Sequence, residues 1–402
     1  MSVRKKPGFI ETNREELDAC FSDREDGAVV TRIAGVGGAG CRMVTTFAEK
    51  RPLARCVYID TDAQALFYAA GKGVKLHLGG KDLYEEPNAA IGELLATESY
   101  DEIERVITPA EFVFLVAGLG GSMGGALPVI AGAALECGAL CVSIVTMPFA
   151  FEGNKRTSMA RETLAMLRAN CDAVIVLPNE QIINHMGEKL TLPGMFQQSD
   201  KLAGEVLACL WDTLCAPGAI CVEPEDLKNE FRLSGAMVSY GRGEASGRDG
   251  LIEAFEQAVS NTFKKTGLRC GKDRLITPEE GGDMRVQRLA EEEKGGSISS
   301  RQIQKEDGWL EMIWLRDPEV DNGAAYKEFY DDVIAFDDLV AEPESKRICL
   351  LHIRADNKLK ISMLNDLLEY ITQEKGYEIS TIKCELEEQR ESRAVVTVFK
   401  RI

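Results

Sequence analysis

In the first half of the chain, five short β-branched runs at 29–35, 55–60, 111–118, 139–146 and 172–178 alternate with helical stretches, and glycine- or aspartate-bearing turns follow them. That alternation predicts a parallel sheet with crossover helices, where a ligand sits outside the carboxyl ends of the strands. Two of the turns are glycine-rich. The first reads I-A-G-V-G-G-A-G at 33–40, and the second A-G-L-G-G-S-M-G-G-A at 117–126. Each follows a strand and opens a helix, so backbone amides and a helix N-terminus both face whatever binds there. The spacing Gly35, Gly37, Gly40 also fits a dinucleotide fingerprint, with Asp60 about twenty residues on where a ribose-binding acid sits. An NAD domain needs one phosphate turn, however, whereas a triphosphate needs a cradle from several strand ends. The second loop therefore favours a mononucleotide triphosphate. The Lys-bearing phosphate-loop motif is absent from the sequence, which excludes that class.

With 402 residues the chain has room for two compact domains. Its net charge of −18 argues against a nucleic-acid backbone as partner, and an anionic membrane surface would repel it. Twelve cysteines and three histidines fall in no metal-ligand spacing, so no metal centre is predicted and the thiols read as buried apolar groups in a reducing cytosol. Basic residues near the N-terminus lack an apolar core after them, so no signal peptide is expected; the apolar run at 129–151 contains Glu136 and Pro148 and reads as a buried helix and strand, not a membrane span. The expectation is a cytoplasmic protein without direct membrane insertion.

Beyond these strands a helix is expected over about 200–214, with Leu202, Val206, Leu207, Leu210, Trp211 and Leu214 on one stripe and Pro217 and Gly218 closing it. Further strands are predicted at 219–223, 235–242, 346–353, 378–386 and 393–402, and helices at 250–263 and 361–374. The stretch at about 266–345 differs in character: its first half is polar, charged and Gly/Ser-bearing and reads as extended or flexible. Its second half carries Trp309, Trp314, Tyr326, Phe329, Tyr330 and Phe336, which suggests that it packs on something.

The two glycine loops together with Thr61-Asp62-Ala63-Gln64-Ala65-Leu66, Pro148-Phe149-Ala150-Phe151-Glu152-Gly153-Asn154-Lys155-Arg156, Val176-Leu177-Pro178-Asn179 and Ala216-Pro217-Gly218 resemble the FtsZ family of GTPases and, more distantly, tubulin. The likeness covers roughly 28–265 and 346–402, in order. It implies the tubulin/FtsZ α/β fold: an N-terminal extension at 1–27, a parallel, Rossmann-like nucleotide domain at 28–194, a long central helix at 195–215, and a smaller α+β C-terminal domain at 216–402 carrying an insertion at about 266–345. It implies GTP or GDP bound with Mg²⁺. The first loop supplies Gly37, Gly38, Ala39, Gly40, Cys41 and Arg42, and the second Gly120, Gly121, Ser122, Met123, Gly124 and Gly125. Asp62, Glu152 and Arg156 contact the nucleotide, and Asn179 and Asp200 the base. The resemblance further implies a longitudinal homopolymer in which Glu223 and Asp226 reach the nucleotide of the next subunit and position the attacking water. Without it, the run Glu223-Pro224-Glu225-Asp226 reads as a solvated helix N-terminus.

Several positions depart from the family pattern. The second loop is about one residue shorter, the segment Asp82-Leu83-Tyr84-Glu85-Glu86-Pro87-Asn88 stands where a Gly/Ala-rich γ-phosphate loop is expected, Lys201 occupies the place of the guanine-reading acid with Asp200 beside it, Arg42 replaces an Asn, and Cys221 replaces the Asn that opens the catalytic loop. The chain ends directly after its last strand, so no terminal linker peptide is expected. The resulting expectation is a divergent, GTP-dependent, filament-forming paralogue with an unknown partner at the insertion. The alternative is a non-hydrolysing structural paralogue that assembles independently of nucleotide.

Overall fold

The computed structural model describes residues 29–69, 73–79, 88–180, 191–233, 235–247, 249–261, 299–305, 308–314, 346–387 and 393–401. The expected extension at 1–27, the loop from Asp82 to Pro87, His185 and most of the stretch 266–345 lie outside the described residues. In chain order the elements are β1 (Thr31–Val36), α1 (Gly37–Ala48), β2 (Cys56–Asp60), α2 (Ala63–Tyr68), β3 (Gly73–His77), α3 (Ala89–Glu98), α4 (Tyr100–Ile107), β4 (Phe112–Gly118), α5 (Leu127–Glu136), β5 (Leu140–Met147), α6 (Asn154–Ala169) and β6 (Ala173–Pro178). There follow α7 (Leu192–Cys215), α8 (Pro224–Phe231), β7 (Ala236–Ser246), α9 (Gly250–Ser260), β8 (Ser299–Lys305), β9 (Gly308–Trp314), β10 (Arg347–Asp356), α10 (Ile361–Glu369), β11 (Glu378–Ile379), β12 (Ile382–Glu387) and β13 (Arg393–Arg401).

The chain divides into two compact units, residues 1–265 with 343–402, and residues 266–342. In the first, one sheet runs in the order β11-β10-β13-β7-β6-β5-β4-β1-β2-β3, with β12 also paired to β10. From β3 to β7 every neighbouring pair is parallel. On its other edge β7 pairs antiparallel with β13, and β13 antiparallel with β10. The parallel part is the predicted α/β architecture. In the second unit β8 and β9 form an antiparallel hairpin, with Gln304 opposite Trp309. Its first strand lies in the half of the stretch read from sequence as extended or flexible.

Parallel strands buried on both faces read as continuous apolar runs, and β4 and β5 do so, with every residue from Phe112 to Ala117 and from Leu140 to Met147 buried. The sequence did not announce β3: Gly73-Val-Lys-Leu-His alternates, and only Val74 and Leu76 are buried, as on a half-covered edge. The strand expected at 219–223 reduces to a single bridge between Ile220 and Cys384, because Gly218 precedes it and Pro224 starts α8 directly after it. The strand expected at 378–386 splits into β11 and β12, and the helix expected at 361–374 closes with a π-helical turn at Tyr370–Glu374.

The central helix α7 spans 24 residues and so about 36 Å. It starts at Leu192, earlier than the stripe indicated, because Thr191 caps it by accepting from the Gly194 amide (3.3 Å) and Pro193 fits the first turn. Its Ala203, Val206, Leu207 and Leu210 enter a core shared with Ile33, Val44, Phe47, Phe114 and Ile144. Trp211 meets the Phe47 ring edge-on, with centroids 6.1 Å apart. Each such large apolar side chain contributes about 1.5–3 kcal/mol on burial. A second core joins Phe255, Leu351, Ile353, Leu367 and Val396, in the C-terminal half.

Candidate nucleotide site

Along the carboxyl ends of the parallel strands runs a cavity of about 520 Å³, a size that suits a small-molecule ligand. Residues at the ends of five adjacent strands line it: Val36 of β1, Asp60 of β2, Gly118 of β4, Thr146 of β5 and Asn179 after β6. At one end sit both glycine loops. α1 begins at Gly37, and no side chain caps it, so its first amides point toward the cavity unspent. Gly37 has φ +71° and Gly120 φ +94°, conformations that a side chain rarely adopts. Gly121 has nothing within 4 Å of where a Cβ would stand, leaving the wall of the second loop open.

Glu152 and Arg156 line the cavity as a pair. Arg156 NH1 donates to Glu152 Oε2 (2.7 Å), while Glu152 Oε1 accepts from the Phe149 amide (2.9 Å) and so fixes the short turn before α6. Farther along, Phe196, Ser199 and Asp200 project from one face of α7, at i, i+3 and i+4. The Ser199 hydroxyl donates to Asn179 Oδ1 (2.7 Å), and Arg42 Nε donates to Asp200 Oδ2 (3.1 Å). Burial raises the Asp200 pKa, with Arg42 opposing the rise. Burial also raises that of Asp60, although its carboxylate accepts from the Thr61 and Asp62 amides.

Twelve expected positions therefore line one cavity: Gly37, Gly38, Ala39, Arg42, Gly121, Ser122, Met123, Gly124, Glu152, Arg156, Asn179 and Asp200. The remaining expected cofactor positions stand behind its wall or beside it. Gly40 sits where a Cβ would lie 2.1 Å from the Val116 carbonyl oxygen, so it lets α1 pack onto β4. The Cys41 thiol bonds to the Gly35 carbonyl (3.3 Å), Gly120 lies against the Arg156 backbone, and Gly125 against that of Ala89. Asp62 caps α2 by accepting from the Gln64 amide (2.8 Å). Lining residues that were not among the expected contacts include Thr61, Thr146, Pro148, Phe196 and Ser199. Their signal was position: Thr61 and Pro148 follow strand ends, Thr146 is the last residue but one of β5, and Phe196 and Ser199 share a helical stripe with Asp200.

Glu223 and Asp226 lie elsewhere. Glu223 is the N-cap residue of α8 without a side-chain capping bond, and both carboxylates are exposed. The next turn of α8 is tied to the amino end of β4, where Lys228 reaches Glu111 (3.3 Å) and lies over the Phe112 ring. These acids thus lie toward the amino ends of the parallel strands, the side opposite the cavity, beyond the C-terminal end of α7. Among the described residues there is no cluster of three metal-ligating side chains, and no helix is long and apolar enough to cross a membrane.

Residues 31–187 match the model of the tubulin/FtsZ family GTPase domain. The chain is 31% identical over 304 residues to cell division protein FtsZ 1 of Archaeoglobus fulgidus, covering 73% of this chain and 79% of that one. It belongs to the tubulin/FtsZ family. Cell division protein FtsZ of Methanothermobacter thermautotrophicus is likewise 31% identical, over 293 residues covering 71% of this chain and 75% of that one. In fold, the chain resembles an empty FtsZ dimer from M. jannaschii with a TM-score of 0.67 at 21% identity, covering 97% of this chain and 92% of that one. A GTPγS-bound protofilament of CetZ2 from Haloferax volcanii aligns at a TM-score of 0.58 and 16% identity, with 92% of each chain covered. Membership of this family sets aside the dinucleotide reading of the first glycine loop.

Proposed function

We propose that this chain is a GTP-binding, filament-forming protein whose hydrolysis is completed between subunits. The observation that carries this reading is the separation of cavity and acids. The cavity opens at the carboxyl edge of the sheet, Asp226 stands at the amino edge, and α7 spans the distance between them. No single copy brings the two together. A head-to-tail repeat does, because a heterologous contact places one pole of each subunit on the opposite pole of the next. The family membership and the protofilament of a structural neighbour support the same arrangement.

In this reading the uncapped amides of α1 and the open loop at Gly121–Gly124 take the phosphates, Glu152 accepts from ribose hydroxyls, and Arg156 offsets phosphate charge. The base lies between Phe196 and Asn179. Asp226 and Glu223 of the next subunit hold and polarise the attacking water. Mg²⁺, when bound, offsets the charge that develops on the phosphates. Asp60, the carboxylate 3.9 Å from the Cβ position of Gly38, is the side chain that would hold it. The insertion at about 266–345, which holds the β8–β9 hairpin, is the proposed site of a further partner.

A second reading, assembly without turnover, is favoured by Cys221. This exposed thiol donates to the Gly218 carbonyl (3.4 Å) at the head of the loop and offers no carboxamide to order water. Phosphate release from GTP with Mg²⁺ across a protein concentration series, with pelleting of the same samples, separates the two. Interface-completed hydrolysis gives a rate per subunit that rises with concentration and is lost in Asp226→Ala while GTP still binds. No turnover, with pelleting indifferent to GTP, establishes the second reading.

A further inference from the structure

Three carboxylates crowd the head of α8, those of Glu223, Glu225 and Asp226, and all three residues are exposed. If that turn faces the phosphates of the next subunit, each uncompensated charge on it opposes their approach. One of the three is already taken. Lys228 Nζ donates to Glu225 Oε1 (2.7 Å), and this bond holds the Glu225 carboxyl below the usual carboxylate range. An exposed pair three residues apart on a helix contributes little, but Lys228 is not exposed. Its side chain is 11% accessible, its ammonium stands 5.4 Å from the centre of the Phe112 ring, and it reaches Glu111 Oε2 at 3.3 Å. Two carboxylates and an aromatic face leave that cation one place to stand.

Glu111, the second anchor, is itself held by the sheet. Its amide donates to the Val30 carbonyl (2.8 Å), its carbonyl accepts from the Leu140 amide (2.9 Å), and its Oε1 accepts from the Val30 amide (3.3 Å). It directly precedes β4, which is buried from Phe112 to Ala117 and whose last residue, Gly118, lines the cavity. Through Lys228 the acid-bearing turn and the second glycine loop become the two ends of one strand of 7 residues, about 23 Å long.

We propose that Lys228 is a positioning residue for hydrolysis between subunits: it clamps the turn that carries Glu223 and Asp226 to the amino end of β4, and it withdraws the Glu225 charge from the face that meets the next subunit's phosphates. This rests on the reading of hydrolysis between subunits given above.

The test compares the wild type with Lys228→Met, Lys228→Arg and the double variant Lys228→Met with Glu225→Gln, each as the full chain with GTP and Mg²⁺. Pelleting across a concentration series, phosphate release per pelleted subunit and GDP affinity by calorimetry are read for each. Met keeps an apolar stem over Phe112. Lys228→Met raises the concentration needed for pelleting, and the double variant restores it, because the uncovered charge is then gone. Turnover per pelleted subunit falls roughly 10- to 100-fold in both, because neither holds the turn in place. Lys228→Arg, which keeps the cation, stays near the wild type, and GDP affinity is unchanged throughout. If Lys228→Met does not fold, Glu111→Gln, which keeps an oxygen for the Val30 amide, releases the outer anchor and lowers turnover by itself. Wild-type turnover per pelleted subunit in folded Lys228→Met, or failing that in Glu111→Gln, overturns this inference alone. So does a fall in GDP affinity, which would place the effect in the variant's own cavity, and so does pelleting that Glu225→Gln does not restore. A wild type without turnover, or one whose Asp226→Ala form is equally active, overturns the reading of hydrolysis between subunits together with it.

Discussion

The thiol of Cys209 on α7 lies 2.7 Å from Nδ1 of His352 on β10. The other ring nitrogen of His352 is 3.1 Å from Oε1 of Glu385 on β12, an ion-pair distance without hydrogen-bond alignment. Glu385 in turn holds Arg354 through its second oxygen (3.2 Å). These contacts tie the central helix to the C-terminal strands through groups that are nearly all buried. Burial by itself would lower the pKa of His352, yet Cys209 and the Glu385 carboxylate carry it up to about 9.

Stability should therefore depend on pH through His352. Its charged form contributes fully below its ordinary value of 6.5, and the contribution is lost as pH rises through about 9. The wild-type melting temperature is expected to fall by several degrees more than that of His352→Gln between pH 6.5 and 9.5. Parallel pH profiles for the two proteins would remove His352 from this role.

Asp212 on α7 is the shared anion of two arginines. Its Oδ1 and Oδ2 accept from Arg51 at 2.8 and 2.5 Å, and Oδ2 also accepts from Arg354 at 2.8 Å. Removing it leaves two half-buried guanidiniums facing each other. Asp212→Ala is expected to cost about 3 kcal/mol, with Asp212→Asn costing less, measured by denaturant unfolding. Equal stability of Asp212→Ala and wild type would mean that solvent screens the pair completely.

Gly40→Ala tests whether a loop glycine serves packing or binding. The added methyl would meet the Val116 carbonyl oxygen at 2.1 Å, so α1 must move off β4. A loss of about 1–3 kcal/mol in stability is expected from overpacking, with nucleotide affinity falling because the α1 amides shift. Gly121→Ala, with open space around it, is expected to leave stability within about 0.5 kcal/mol.

The parallel sheet was legible because buried strands such as β4 and β5 are continuous apolar runs broken by glycine. β3 was not, since an edge strand with Lys75 and His77 on its open face carries only half the signal. The motif Pro148 to Arg156 marked Glu152 and Arg156 directly, and both line the cavity. Gly40, Gly125 and Cys41 share the same motifs but face the packing side, a distinction that depends on which way each Cα points after the strand ends. At the head of α7 the sequence left Asp200 and Lys201 as rivals. One step along a helix turns a side chain by about 100°, and only the start of the helix at Leu192 decides which of the two faces inward.

The central claim, that one subunit completes the site of the next, is tested most directly by mixing two inactive variants. Asp226→Ala keeps its cavity and loses the acid. Gly121→Asp keeps the acid and places a carboxylate in the open wall of the second loop, where it repels phosphate. Each alone should release no phosphate from GTP. An equimolar mixture is predicted to regain about a quarter of the wild-type rate, the share of random head-to-tail junctions in which both halves are intact. A mixture that co-pellets yet stays as inactive as its parts would contradict hydrolysis between subunits.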